Sequence, residues 1–201
     1  MRQLSLILAL CVILNVDTAE QPVLSQSRLA EVALTTSERA LASEAEDIVK
    51  QFAGQLKPQL VGAITNGGLA HAIKVCSEQA PQIAQQLSRQ TGWQVKRVSL
   101  KPRNGKTANA DPFERFVLEL FDQQRIAGAD VNAMVYAKTI ENSFRFMKAQ
   151  PVQAVCLNCH GERLQPEVIE ALDHHYPNDV ATGYRLKDIR GAISLVRSLS
   201  D

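Results

Sequence analysis

Met134-Val-Tyr-Ala-Lys-Thr-Ile140, then Glu141-Asn142-Ser143, then Phe144-Arg-Phe-Met-Lys148 is the stretch that decides the fold. Two runs rich in β-branched and aromatic residues flank three polar ones, which is the pattern of a hairpin. Hairpin strands pair antiparallel. Upstream, Trp93 to Leu100 reads as a further strand whose alternation slips near Lys96-Arg97, as at a bulge. Downstream, Ile189 to Val196 reads as a last strand.

The helical patterns gather earlier. Thr35 and Glu38 form a capping box ahead of Leu41, Ala45, Ile48, Phe52 and Leu56, which share one helical face up to Pro58. After Gly67-Gly68 a second stretch carries Leu69, Ile73, Cys76, Ala80, Ile83 and Leu87, with Pro81 set to bend or divide it. Asp111-Pro112-Phe113-Glu114 opens another helix with Phe113, Phe116, Val117 and Leu120 as its apolar face and Gly128 as its stop. Lys101 to Asn109 is a polar loop, Pro166 to His175 a short helix, and Pro177 to Gly183 a turn-rich loop. Early helices and late, short strands predict an α+β domain with an antiparallel sheet.

The chain of 201 residues is 45% hydrophobic and 21% charged, which suits one globular domain able to bury a core without disulfides. A net charge of +1 with mixed signs gives no nucleic-acid signal. The N-terminus stands apart: Arg2, an apolar run from Leu4 to Val16, then polar residues, the outline of a signal peptide over 1–19. The run is shorter than the roughly 20 residues of a spanning helix. The mature chain, 20–201, is therefore expected to be exported, periplasmic or similar, soluble and not membrane-spanning. Removing the signal takes Cys11 with it and leaves Cys76, Cys156 and Cys159. That number is odd.

Cys156-Leu157-Asn158-Cys159-His160 has the two thiols and the following imidazole that covalent haem attachment requires, thiols for the vinyl groups and His160 for the iron. A zinc half-site would need further ligands, and Cys76, His71, His174 and His175 supply no second cysteine pair. A thioredoxin-type motif would sit in an alternating βαβ pattern, which is lacking. One covalent haem c is the expected cofactor. The residues leave its second axial ligand open among His71, His174, His175, Met134, Met147 and Cys76. Cys76 falls on an apolar helical face between Ile73 and Ala80 and has no disulfide partner once the haem pair is set aside.

Val75-Cys76-Ser77-Glu78-Gln79-Ala80-Pro81, Arg97-Val98-Ser99-Leu100 with Arg103-Asn104, Cys156 to Gly161, Tyr176-Pro177-Asn178-Asp179, Ala181-Thr182-Gly183-Tyr184 and Arg190-Gly191-Ala192 together resemble a family of single-haem c-type proteins. It is a domain-of-unknown-function family with a PAS-like fold and a cyanobacterial member of known structure. The resemblance spans nearly all of the mature chain. It implies a PAS-like antiparallel sheet flanked by helices, His160 as proximal ligand and Cys76 as distal ligand. One departure is Gly105 after Asn104, where the family loop continues with proline, at the place where Arg103 is a candidate for a haem propionate.

A thiolate ligand stabilises ferric iron, so a low potential is expected, with the Cys76 bond weakening on reduction and opening a site for a diatomic gas. The expected function is electron carriage, or a stand-alone redox role, toward a redox partner protein that the residues do not identify. The alternative is a redox or gas sensor signalling through a partner. Substrate turnover is the less favoured reading, because a bound thiolate closes the distal site.

Overall fold

The computed structural model describes residues 34–199, so the expected signal peptide over 1–19 lies outside the described residues. Helix α1, Thr36–Thr91, begins where the sequence predicts: Glu38 N–H donates to Thr35 Oγ1, and Thr35 N–H donates to the Glu38 carboxylate. Pro58 and Pro81 lie inside it rather than ending or dividing it. The carbonyl that Pro58 leaves without a helical partner belongs to Gly54, which is exposed. The break comes at Gly68, with φ 73° and ψ −170°. A straight helix of this length would run about 84 Å. Ala45, Ile48 and Phe52 nevertheless share one apolar cluster with Ala80, Ile83 and Leu87, so the two arms fold back beside each other.

Four antiparallel strands follow: β1 Gln94–Val98, β2 Val135–Ile140, β3 Ser143–Pro151 and β4 Ile189–Ser198, in the order β1-β4-β3-β2. The predicted hairpin is β2–β3, with Ile140 opposite Ser143. Helix α2, Pro112–Ile126, is capped by Asp111 and Glu114 as its sequence predicts. It packs through Val117, Leu118 and Phe121 against Val98, Met147, Ala149 and Ala192 on one sheet face. The arms of α1 cover the other face over Val95, Phe144, Phe146, Ile193 and Leu195. This is the expected α+β class, an antiparallel sheet flanked by helices with a long N-terminal helix.

Cover on both faces explains two departures. The slip near Lys96-Arg97 is not a bulge, for β1 pairs with β4 in unbroken register. Lys96 reaches Glu114 at 2.9 Å on the α2 side while Arg97 lies on the wall of a cavity beside α1, so polar side chains serve both faces. The apolar face of α2 is also rotated from the predicted one. Phe116 is 52% exposed, whereas the Glu114 carboxylate is fully buried, accepting from Ser194 Oγ at 2.6 Å and pairing with Lys96.

The true irregularity lies between β3 and β4, where Gln150 pairs with Gly191 and Pro151 with Ile189, leaving Arg190 as the extra residue. Between those strands run a 3-10 turn over Ala154–Cys156, the single helical turn α3, Leu157–His160, and α4, Pro166–His175. Among the described residues no helix is long and apolar enough to cross a membrane.

Candidate functional site

A cavity of about 820 Å³ opens between the α1 arms, the sheet and α3. Cofactor pockets span roughly 300–1,000 Å³. Val49, Leu56 and Leu60 of the first arm, Leu69 and Ile73 of the second, and Val95 and Ile193 of the sheet form apolar wall. Cys156, Cys159 and His160 line it from the α3 side and Cys76 from α1, so residues up to 84 positions apart in sequence meet at one space. All three cysteines are free thiols.

The α3 turn is anchored from behind. Cys156 and Leu157 pack on Val152, Ala181 and Tyr184, while Cys159 packs against Ile73, Val168 and Leu172. His160 Nδ1 lies 2.7 Å from the Ala181 carbonyl oxygen. A carbonyl only accepts, so Nδ1 carries the proton and Nε2 keeps the lone pair a metal needs. The Ala181 peptide is itself held, its N–H donating to Asp179 Oδ1 at 2.7 Å. Burial, with the charges of Arg190 and Arg103, pushes the His160 pKa down to about 2, so the ring is neutral at any ordinary pH.

On the opposite wall burial pushes the Cys76 thiol up, while Arg97 and Arg103 pull it down. Lys57, Lys96, Arg97, Arg103, Lys148 and Arg190 line the cavity, and among the described residues no aspartate or glutamate does. An apolar slot with a one-signed cationic lining suits a flat apolar ligand that carries carboxylates.

Residues 25–198 match the model of the Tll0287-like family. The chain belongs to the Tll0287-like family. Among solved structures it is similar to the cyanobacterial heme-protein Tll0287, at 25% identity and a TM-score of 0.59, covering 79% of this chain and 97% of that one. No curated protein matches it.

Within this Tll0287-like chain the alternative ligands fall away from the cavity. Met134 and Met147 are buried on the α2 side of the sheet, and His71, His174 and His175 do not line the space. Of the candidate iron ligands read from the sequence, His160 and Cys76 do line it. The residues present fit a haem: two free thiols beside an imidazole of fixed tautomer, a thiol across an apolar slot, and cations for two carboxylates. Among the described residues no three His, Cys, Asp or Glu side chains gather to hold a bare metal ion. Arg103, whose loop departs from the family pattern at Gly105, is committed to protein partners, the Asp179 carboxylate at 3.0 Å and the Cys159 carbonyl at 2.5 Å. Sequence reasoning gave no role to Asp179, Ala181 or Arg190, because their task depends on a loop contact and a bulge that no residue pattern announces.

Proposed function

We propose that this chain is an exported single-haem c-type protein, with Cys156 and Cys159 to bind the haem covalently and His160 and Cys76 to hold its iron. The observation that carries the reading is the convergence of these four side chains on one cavity that the alternative ligands do not line. Bound there, haem supplies a one-electron ferric–ferrous couple.

The chain's own residues set the terms. His160 offers a neutral Nε2 because Ala181 holds Nδ1–H. Cys76 offers sulfur that binds ferric iron best as thiolate, which favours the oxidised state and gives a low potential. Arg97 and Arg103 make that anion tolerable where burial alone opposes it. A thiolate in place leaves no open position for substrate, so the function is electron carriage or a stand-alone redox role, with a partner protein outside the cavity. The second reading, a gas or redox sensor, rests on the same sulfur: a haem held here would supply a site for a diatomic ligand if Cys76 were to release the iron on reduction.

The test is to mature the chain in a host with a c-type haem attachment system and denature it. Haem should stay with the polypeptide in the wild type and be lost when Cys156 and Cys159 are both replaced by alanine. Haem that extracts from the wild type would overturn covalent attachment. Rapid electron exchange with a small cytochrome and no carbon monoxide binding supports the carrier; the reverse supports the sensor.

A further inference from the structure

Arg190 is the extra residue of the β3–β4 bulge, and bulges re-aim side chains. Here the bulge turns the guanidinium onto the cavity wall beside His160. Ser99, 5% exposed, holds it from both ends. Its hydroxyl meets the Arg190 carbonyl at 2.8 Å and accepts from Arg190 Nη1 at 2.9 Å. The Lys101 carbonyl accepts from the same Nη1 at 3.3 Å, and the Tyr184 ring lies 5.5 Å from the guanidinium carbon. Gly191 makes the arrangement possible, because a Cβ there would sit 2.2 Å from the Val98 carbonyl oxygen.

Arg190 Nε is 3.1 Å from His160 Nδ1 and 3.5 Å from His160 Nε2. The in-plane directions of those two nitrogens diverge widely, so one N–H reaches both only across the face of the ring. Nδ1 already gives its proton to Ala181, which agrees with a contact to the face rather than to a lone pair. An N–H aimed at the face of a ring in this way is an N–H···π contact. Among the described residues Arg190 makes no ion pair, and the Asp179 carboxylate is taken by Arg103. A positive charge is thus clamped against the His160 imidazole without a direct ion-pair partner, and the nearby Asp179 carboxylate, which Arg103 engages, offsets it only in part.

We infer that Arg190 is a positioning residue for His160 that also tunes the iron: it holds the plane of the imidazole and its charge raises the reduction potential, opposing the Cys76 thiolate. This rests on the haem reading above. Positive charge beside the ligand disfavours the more positive ferric state, so removing it lowers the potential.

The experiment compares the haem-loaded wild type with Arg190→Gln, Arg190→Lys and Ser99→Ala by redox titration and by electron paramagnetic resonance of the ferric state. Haem content is measured first. Arg190→Gln should keep its haem and shift the potential downward. Arg190→Lys should restore the potential while altering the ferric resonance, since a lysine keeps the charge but lacks the Nε–H that meets the ring. Ser99→Ala should shift the potential in the same direction as Arg190→Gln, by less, and it carries the test should the glutamine variant fail to fold. An unchanged potential in a haem-loaded Arg190→Gln or Ser99→Ala overturns the assignment, as does an equal fall in glutamine and lysine variants. A wild type without haem overturns the underlying reading and the inference together.

Discussion

The Arg103 guanidinium meets the Asp179 carboxylate at 3.0 Å, with the two side chains only 11% and 8% exposed. The same guanidinium donates to the Cys159 carbonyl, and the same carboxylate accepts from the Ala181 peptide whose carbonyl holds His160. One ion pair therefore joins α3 to the loop that orients the imidazole.

Removing one member of a shielded pair leaves the other charge uncompensated, at about 3–5 kcal/mol. Asp179→Ala and Arg103→Ala should each lower the unfolding free energy by about that amount, measured by urea denaturation with unchanged slope. The double variant should lose less than the sum of the singles. Additive losses would show that the two side chains act independently.

Glu114 ties α2 to the sheet by a buried carboxylate that contacts Lys96 of β1, Arg145 of β3 and Ser194 of β4. Glu114→Ala should cost about 3–5 kcal/mol in the same measurement. The arm of the sheet it anchors carries Arg97, so haem uptake should fall with stability. A loss below 1 kcal/mol, on the scale of an exposed pair, would contradict the role given to this contact.

Acid should weaken the α1 cap. The Thr139 hydroxyl, followed by the backbone and side chain of Thr35, holds the Glu38 carboxyl down from its ordinary 4.5 to about 2. A depressed carboxyl stabilises the fold above its unfolded value and loses that contribution as pH falls through its folded one. Between pH 4.5 and about 2 the wild type should therefore lose melting temperature more steeply than Glu38→Gln. Parallel curves for the two proteins would contradict the assignment.

The parts of this molecule that were legible in the sequence are those governed by local rules. The capping boxes at Thr35 and Asp111, the β2–β3 hairpin and the span of α4 depend on residues a few positions apart, and they stand where the pattern puts them. The prolines do not end the helix because a long helix survives the loss of one hydrogen bond at each, and Pro58 leaves its orphaned carbonyl on the exposed Gly54. The face of α2 was misjudged because a buried glutamate with partners on three strands outweighs the exposed Phe116, and hydrophobic periodicity is blind to ion pairs. At the site, Cys156, Cys159 and His160 are contiguous and could be read directly. Cys76 was reached by counting thiols and by resemblance, while the tertiary fold alone brings it to the cavity. Arg190 was illegible, since its orientation follows from a register shift between two strands.

The proposed pairing of Cys76 with His160 on one haem iron is read out by the ferric optical spectrum of Cys76→Ser against that of the wild type. The ferric wild type should be six-coordinate, and its spectrum should lose its thiolate signature in the variant, with a higher reduction potential because the anionic ligand is gone. A haem-loaded Cys76→Ser with the wild-type spectrum and potential would contradict it.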